Sequence, residues 1–189
     1  METTTSDDGR YTVEKYFALV EEGVLDPDER TELLHGIVVS SAPPTPAQAS
    51  GMRRAISALR RAVGPDIPIA SRSPLVASPF CVPEPDVAIL PGQLRDYDTQ
   101  HPTTALLVVH VSDRSLPQDR LTRTPIYARA GVANYWIVNL RNHTVEWFGE
   151  PDSMTHEYRA QGIAGGSDRL PMDAFPDAVV TAAELLPSH

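Results

Sequence analysis

The stretch Ala105–Leu140, ALLVVHVSDRSLPQDRLTRTPIYARAGVANYWIVNL, decides the fold. Its opening, Ala105 to Val111, is apolar on both faces except at His110, the pattern of a central strand covered on both sides. Leu121 to Ala130 predicts a helix, kinked at Pro125, which has no N–H to give, and stopped by Gly131. Asn134 to Asn139 (NYWIVN) predicts a second strand, paired as a hairpin with Thr144 to Phe148 (TVEWF) across Leu140–His143.

Upstream, Thr12 to Glu22 carries apolar residues at Val13, Tyr16, Phe17 and Val20, one face of a helix, with Thr12 as N-cap. Thr31 to Ser40 (TELLHGIVVS) predicts a strand with a bulge at Gly36. The proline-rich SAPPTPAQ that follows predicts a loop, because Pro43, Pro44 and Pro46 suit neither a helix interior nor a central strand. Ala47 to Val63 predicts a helix with Met52, Ile56, Leu59 and Val63 as its apolar stripe, ended by Gly64-Pro65. Strands are expected over Ile67–Ala77 and Pro85–Leu90, one more near Glu157–Gln161, and a closing helix over Thr181–Leu186. Together these elements predict an α/β (α+β) fold, a mixed β-sheet flanked by helices, as a single domain over 1–189 with residues 1–10 as a flexible tail.

Composition narrows the function classes. The chain of 189 residues is 41% hydrophobic and 22% charged, which describes a globular protein. No apolar run approaches the ~20 residues of a membrane span, and METTTSDDGR lacks the basic and apolar stretches of a signal peptide. One cysteine, Cys81, rules out an internal disulfide and a multi-cysteine zinc site, so the expected compartment is the cytoplasm. A net charge of −9 argues against broad contact with a phosphate backbone, although it leaves room for a local basic groove. Lys15 is the one lysine beside 15 arginines, so lysine chemistry has a single candidate. The chain has no G-x-S-x-G elbow, phosphate-binding loop, dinucleotide fingerprint or H-E-x-x-H.

Pro85-Asp86 on a short strand, the apolar strand with His110, and a helix ending YARAGV before YWIVN form a recognisable series. The series resembles the Uma-two-type putative restriction endonucleases of the PD-(D/E)XK nuclease superfamily. TVEKYFALVEE, TELLHGIVVSSAPPTPAQ and the closing AVVTAAELL fit as well, so the likeness spans nearly the whole chain. The resemblance implies a nuclease-like fold and metal-dependent phosphodiester hydrolysis. In that chemistry a carboxylate-held Mg²⁺ or Mn²⁺ polarises the phosphate and lowers the pKa of the attacking water.

Position by position, the resemblance places the outer glutamate at Glu32 and the motif aspartate at Asp86. The strand glutamate falls on His110, and the lysine of an Asp-Arg-x-x-Lys-x-x-x-Tyr pattern falls on Arg123 within Asp119–Tyr127. His35, Gln48 and Asp113 take supporting places, and Asp86 with His110 are the expected metal ligands. Imidazole in place of carboxylate removes a charge and an oxygen ligand that Mg²⁺ prefers, and arginine cannot act as a base.

Three readings follow. A diverged endonuclease would use a divalent metal and DNA. A repurposed scaffold would act on a small molecule through His110, Asp86 and Arg123 without metal. An inactive binding module would do neither. A homodimer is compatible with each. Without the resemblance, His110 is a core histidine satisfied by one hydrogen bond, Asp119–Arg123 an i, i+4 surface pair, and Cys81 a small buried hydrophobe.

Overall fold

The computed structural model describes residues 9–26 and 29–187. Of the tail expected over 1–10, residues 1–8 lie outside that range, and Arg10 stands over the Phe80 ring, 4.6 Å from its centroid.

β5 (Leu107–Ser112) is buried at every residue, because it lies inside the sheet with helices over both faces. It pairs antiparallel with β4 (Val87–Ile89) and parallel with β6 (Asn134–Asn139). β7 (Thr144–Asp152) and β8 (Glu157–Ala164) continue antiparallel on one side, and β3 (Ile69–Ala70) closes the other, giving a mixed sheet of six strands in chain order. Side chains alternate across this sheet. Val87, Ile89, Val109, Val111 and Trp136 face α2 (Pro46–Val63) and α5 (Ala182–Leu185), whereas Ala88, Val108, Tyr135 and Ile137 face α4 (Thr124–Arg129). Gly51 lets α2 approach closely, since a Cβ there would stand 2.7 Å from a Val111 methyl. A separate cluster packs Val13 and Tyr16 of α1 (Val13–Glu21) against Leu33 and Val82, outside the six-stranded sheet. Among the described residues, no helix is long and apolar enough to cross a membrane.

The expected helices, central strand and hairpin form, with four differences. The strand predicted over Thr31–Ser40 is a hairpin of its own, β1 (Thr31–Leu34) and β2 (Ile37–Ser40), because His35 and Gly36 both take positive φ and turn the chain. The strand predicted over Ile67–Ala77 pairs only at β3, because Pro68 and Pro74 lack N–H groups and Arg72 has φ +49°. The proline loop ends at Thr45, whose side chain forms a capping box with Gln48, so Pro46 already sits in the first turn of α2.

The last difference bears on the site. The helix predicted from Leu121 starts earlier, as α3 (Leu116–Gln118), passes through a π-helical turn (Asp119–Arg123) and continues as α4. Pro125 cannot donate to the carbonyl four residues back. The wider turn just before it bonds Thr124 N–H to the Asp119 carbonyl instead.

Candidate active site

Register brings the first pair together. Val87 stands opposite Val109, so Asp86, one residue earlier, faces His110 across the β4–β5 ladder. Asp86 Oδ2 accepts the Val111 N–H at 2.8 Å and lies 3.8 Å from His110 Nδ1. His110 Nδ1 is also 4.0 Å from Asp119 Oδ1, and its Nε2 is 2.8 Å from the Tyr127 hydroxyl.

The π-helical turn delivers the second pair. Arg123, 4% exposed, donates from Nη1 to Asp119 Oδ1 at 2.8 Å. Its Nη2 and Nε donate to the two Glu32 oxygens, the latter at 3.3 Å. Glu32 on β1 also accepts the Glu84 N–H at 2.8 Å, and Asp119 Oδ2 accepts the Ser115 hydroxyl at 2.8 Å. One guanidinium therefore serves two buried carboxylates. Arg30 donates to Glu84 at 2.7 Å and reaches Asp86 Oδ1 at 3.9 Å.

A cavity of about 420 Å³ opens over this cluster, lined by Asp86, His110, Asp119 and Arg123 at its base and by Arg30 and Arg114 among its walls. Asp113 and Gln48 line it too. Asp113 pairs with Arg141 at 3.0 Å, and Gln48 donates to the Val111 carbonyl at 3.3 Å. Arg114 is exposed and has no ion-pair partner among the described residues. Glu32 sits behind Arg123 instead of lining the cavity. His35 is elsewhere: its Nδ1 is 3.9 Å from Cys81 Sγ, in a small pocket with Ile126, Arg129 and His156.

Electrostatics follow from burial. Burial pushes the Asp86 carboxyl up to about 6, against the opposing pull of the Val111 N–H and Arg30. Burial, with Arg123 and then Arg30, holds His110 well below its usual range, so the imidazole is neutral and its approach to Asp86 is no ion pair. Asp119 is raised by burial in spite of Arg123 and two serine hydroxyls. Burial alone would lower Arg123, but Glu32 and Asp119 more than offset it and hold it cationic. The opposite pulls on Asp119 and Arg123 agree once the sharing is counted, because two carboxylates divide one cation.

The donor set does not fit a resident divalent ion. Among the described residues, no group of three His, Cys, Asp or Glu side chains is arranged to hold a metal. Of the two expected ligands, Asp86 brings oxygen, but His110 brings a ring nitrogen in place of the oxygen that Mg²⁺ prefers. The fixed guanidinium of Arg123 already occupies Asp119 and Glu32.

The sequence reading missed Asp119, Tyr127, Arg30, Glu84 and Ser115 as parts of the site. Asp119 and Tyr127 were within reach, since both belong to the Asp119–Tyr127 pattern that located Arg123, spaced four residues to either side of it.

The sequence profile of the Uma2 family, described as "Putative restriction endonuclease", matches residues 13–184. The crystal structure of a putative nuclease belonging to DUF820 from Anabaena variabilis superposes with a TM-score of 0.71 over 92% of this chain and 96% of that one. At 11% identity, that likeness speaks for the fold. No curated protein matches the chain.

Proposed function

The chain belongs to the Uma2 family of putative restriction endonucleases, and from that premise we propose a nuclease-like hydrolase that cleaves a phosphodiester by acid–base chemistry on its own side chains. The observation that carries this reading is the shared cavity: the Asp86 carboxylate meets it with no short ion pair, beside a guanidinium fixed at its base.

In this reading Asp86 takes a proton from a water as its oxygen bonds to phosphorus. The bond to the leaving oxygen breaks, and that oxygen takes its proton from solvent. Arg123 stands where charge develops, held in place before the reaction, which is how a fixed cation stabilises a transition state. Arg114, uncommitted at the wall, is suited to a flanking phosphate. Three arginines face four carboxylates (Glu84, Asp86, Asp113 and Asp119) across the cavity, so recognition of the anion is local to Arg114 and Arg30.

Labelled single-stranded and duplex oligonucleotides incubated with excess chelator test it. Cleavage that survives chelation and falls about 10²-fold or more in Asp86→Asn is expected, the usual scale for a general base. Cleavage that appears only with added Mg²⁺ or Mn²⁺ would overturn it. One observation favours a second reading, a non-cleaving nucleic-acid binder: Arg123 and His110 already have partners inside the protein. Oligonucleotide binding without cleavage under every condition would select that reading.

A further inference from the structure

We propose that Tyr127 is a positioning residue that locks His110 in its Nδ1–H tautomer, so that the imidazole meets the cavity as a hydrogen-bond donor. Tyr127 is fully buried, and its hydroxyl stands 2.8 Å from His110 Nε2, the hydrogen bond it makes among the described residues. A bond between two such atoms can run either way, and the surroundings fix its direction. If the ring donated from Nε2, the phenolic proton would be left buried without an acceptor, an uncompensated desolvation. If the phenol donates, every proton in the pair is placed.

The donor and acceptor roles then follow from the contact itself. An Nε2 that accepts the phenolic proton carries a lone pair, so the ring has one N–H left to place. With the lone pair at Nε2 taken, the N–H is at Nδ1.

That N–H is aimed at an opening. His110 lines the cavity, and its Nδ1 is 3.8 Å from Asp86 Oδ2 and 4.0 Å from Asp119 Oδ1, beyond hydrogen-bond reach of either. An oxygen atom bound among the three would accept from His110 and could give its own proton to Asp86. His110 is then neither base nor metal ligand at Nδ1, since no lone pair is left there. The part this gives His110 in holding an attacking oxygen rests on the hydrolase reading, whereas the tautomer itself does not.

The test is a long-range ¹H–¹⁵N correlation spectrum of the full chain carrying ¹⁵N-histidine, at neutral pH, with His110 assigned by its loss in His110→Gln. The expected pattern is a protonated Nδ1 and an unprotonated, hydrogen-bonded Nε2, unchanged by chelator. Tyr127→Phe, which keeps the ring, should lose that single-tautomer pattern. An Nε2–H tautomer or an imidazolium in the native protein would overturn the proposal, and so would an unaltered pattern in Tyr127→Phe. The native spectrum decides even if the variant does not fold. An Nδ1–H signal in a protein that cleaves nothing counts against the hydrolase reading alone, whereas an Nε2–H signal in an active protein counts against the lock alone.

Discussion

Arg120 and Arg123 stand three residues apart on one π-helical turn, the first guanidinium half-exposed and the second buried, and both meet buried carboxylates. The Arg120 side chain is 44% exposed and donates through two nitrogens to both oxygens of Glu146, at 2.7 Å each, and Asn139 donates to Glu146 as well. Arg123 is buried between Glu32 and Asp119, which belong to different elements. The carboxylates record the difference. Glu146 is partly desolvated, yet Arg120 and Asn139 outweigh that and lower it. Asp119 is raised, because burial outweighs its half-share of Arg123. Water at one edge turns the first cluster into a surface clip, and its exclusion makes the second a strut through the site.

The sharpest way to break the comparison is Arg123→Met. It leaves Glu32 and Asp119 buried without their cation, and the expected loss is about 3–5 kcal/mol in urea denaturation. Replacing all three by apolar residues of similar volume should recover most of that loss, since the pair and its desolvation leave together. A loss below about 1 kcal/mol for the single change would mean that burial does not separate the two clusters.

Asp86 sharpens the comparison as the neighbouring carboxylate that the strut does not hold. In the hydrolase reading, activity should rise with pH and level off above about 6, where Asp86 is ionised. The groups that set this midpoint are the Val111 N–H, Arg30, Asp119, Arg72 and neutral His110. A midpoint displaced by Arg30→Gln and absent in Asp86→Asn would assign the profile.

Metal binding probes the strut from the side of its charge. Calorimetric titration with Mg²⁺ should give no tight stoichiometric heat at neutral pH. The double change His110→Glu with Arg123→Lys should raise metal affinity, because it adds an oxygen ligand and loosens the grip on Glu32 and Asp119. Unchanged affinity would mean that these positions are not what excludes the ion.

The smallest effects concern the clip. Arg120→Ala should cost about 1–3 kcal/mol, less than Arg123→Met, because the buried Glu146 loses its cation but keeps Asn139. Stability against pH should carry opposite signs in the two clusters. Glu146, depressed in the folded state, contributes stability that is present above its unfolded pKa and lost as pH falls through the folded one. Asp119, raised in the folded state, contributes stability that is present below its unfolded pKa and lost as pH rises through the folded one. Unfolding curves of Glu146→Gln and Asp119→Asn against the native chain across acidic pH would show the two slopes.

Much of this was legible in the chain. Continuous apolarity with one histidine placed β5 at the centre, and NYWIVN with TVEWF gave the β6–β7 hairpin, because strand periodicity and turn residues act locally. The Asp86–His110 meeting was anticipated through the resemblance and rests on a register that spacing alone does not set. His35 shows the limit. Its place in the β1–β2 turn depends on a positive φ that histidine tolerates but does not announce, and the turn carries it away from the cavity. Asp119–Arg123 reads as a surface pair because spacing is local, whereas the hairpin strand that buries it arrives from far along the chain.

A π turn is an α-helix with about one residue too many. Each helical residue advances the face by about 100°, so one surplus residue turns everything beyond it by that angle. On a regular helix Arg120 and Arg123, three apart, would share a face and compete for the same carboxylates. The surplus between Asp119 and Arg123 acts as a fixed rotation that sends one guanidinium toward Glu146 and the other toward Glu32. Deleting a single residue there, Leu121 or Thr122, would remove the surplus and close the wide turn to an ordinary α-turn. The aim of Arg123 and Tyr127 thus hangs on a count of residues, and not only on which residues they are.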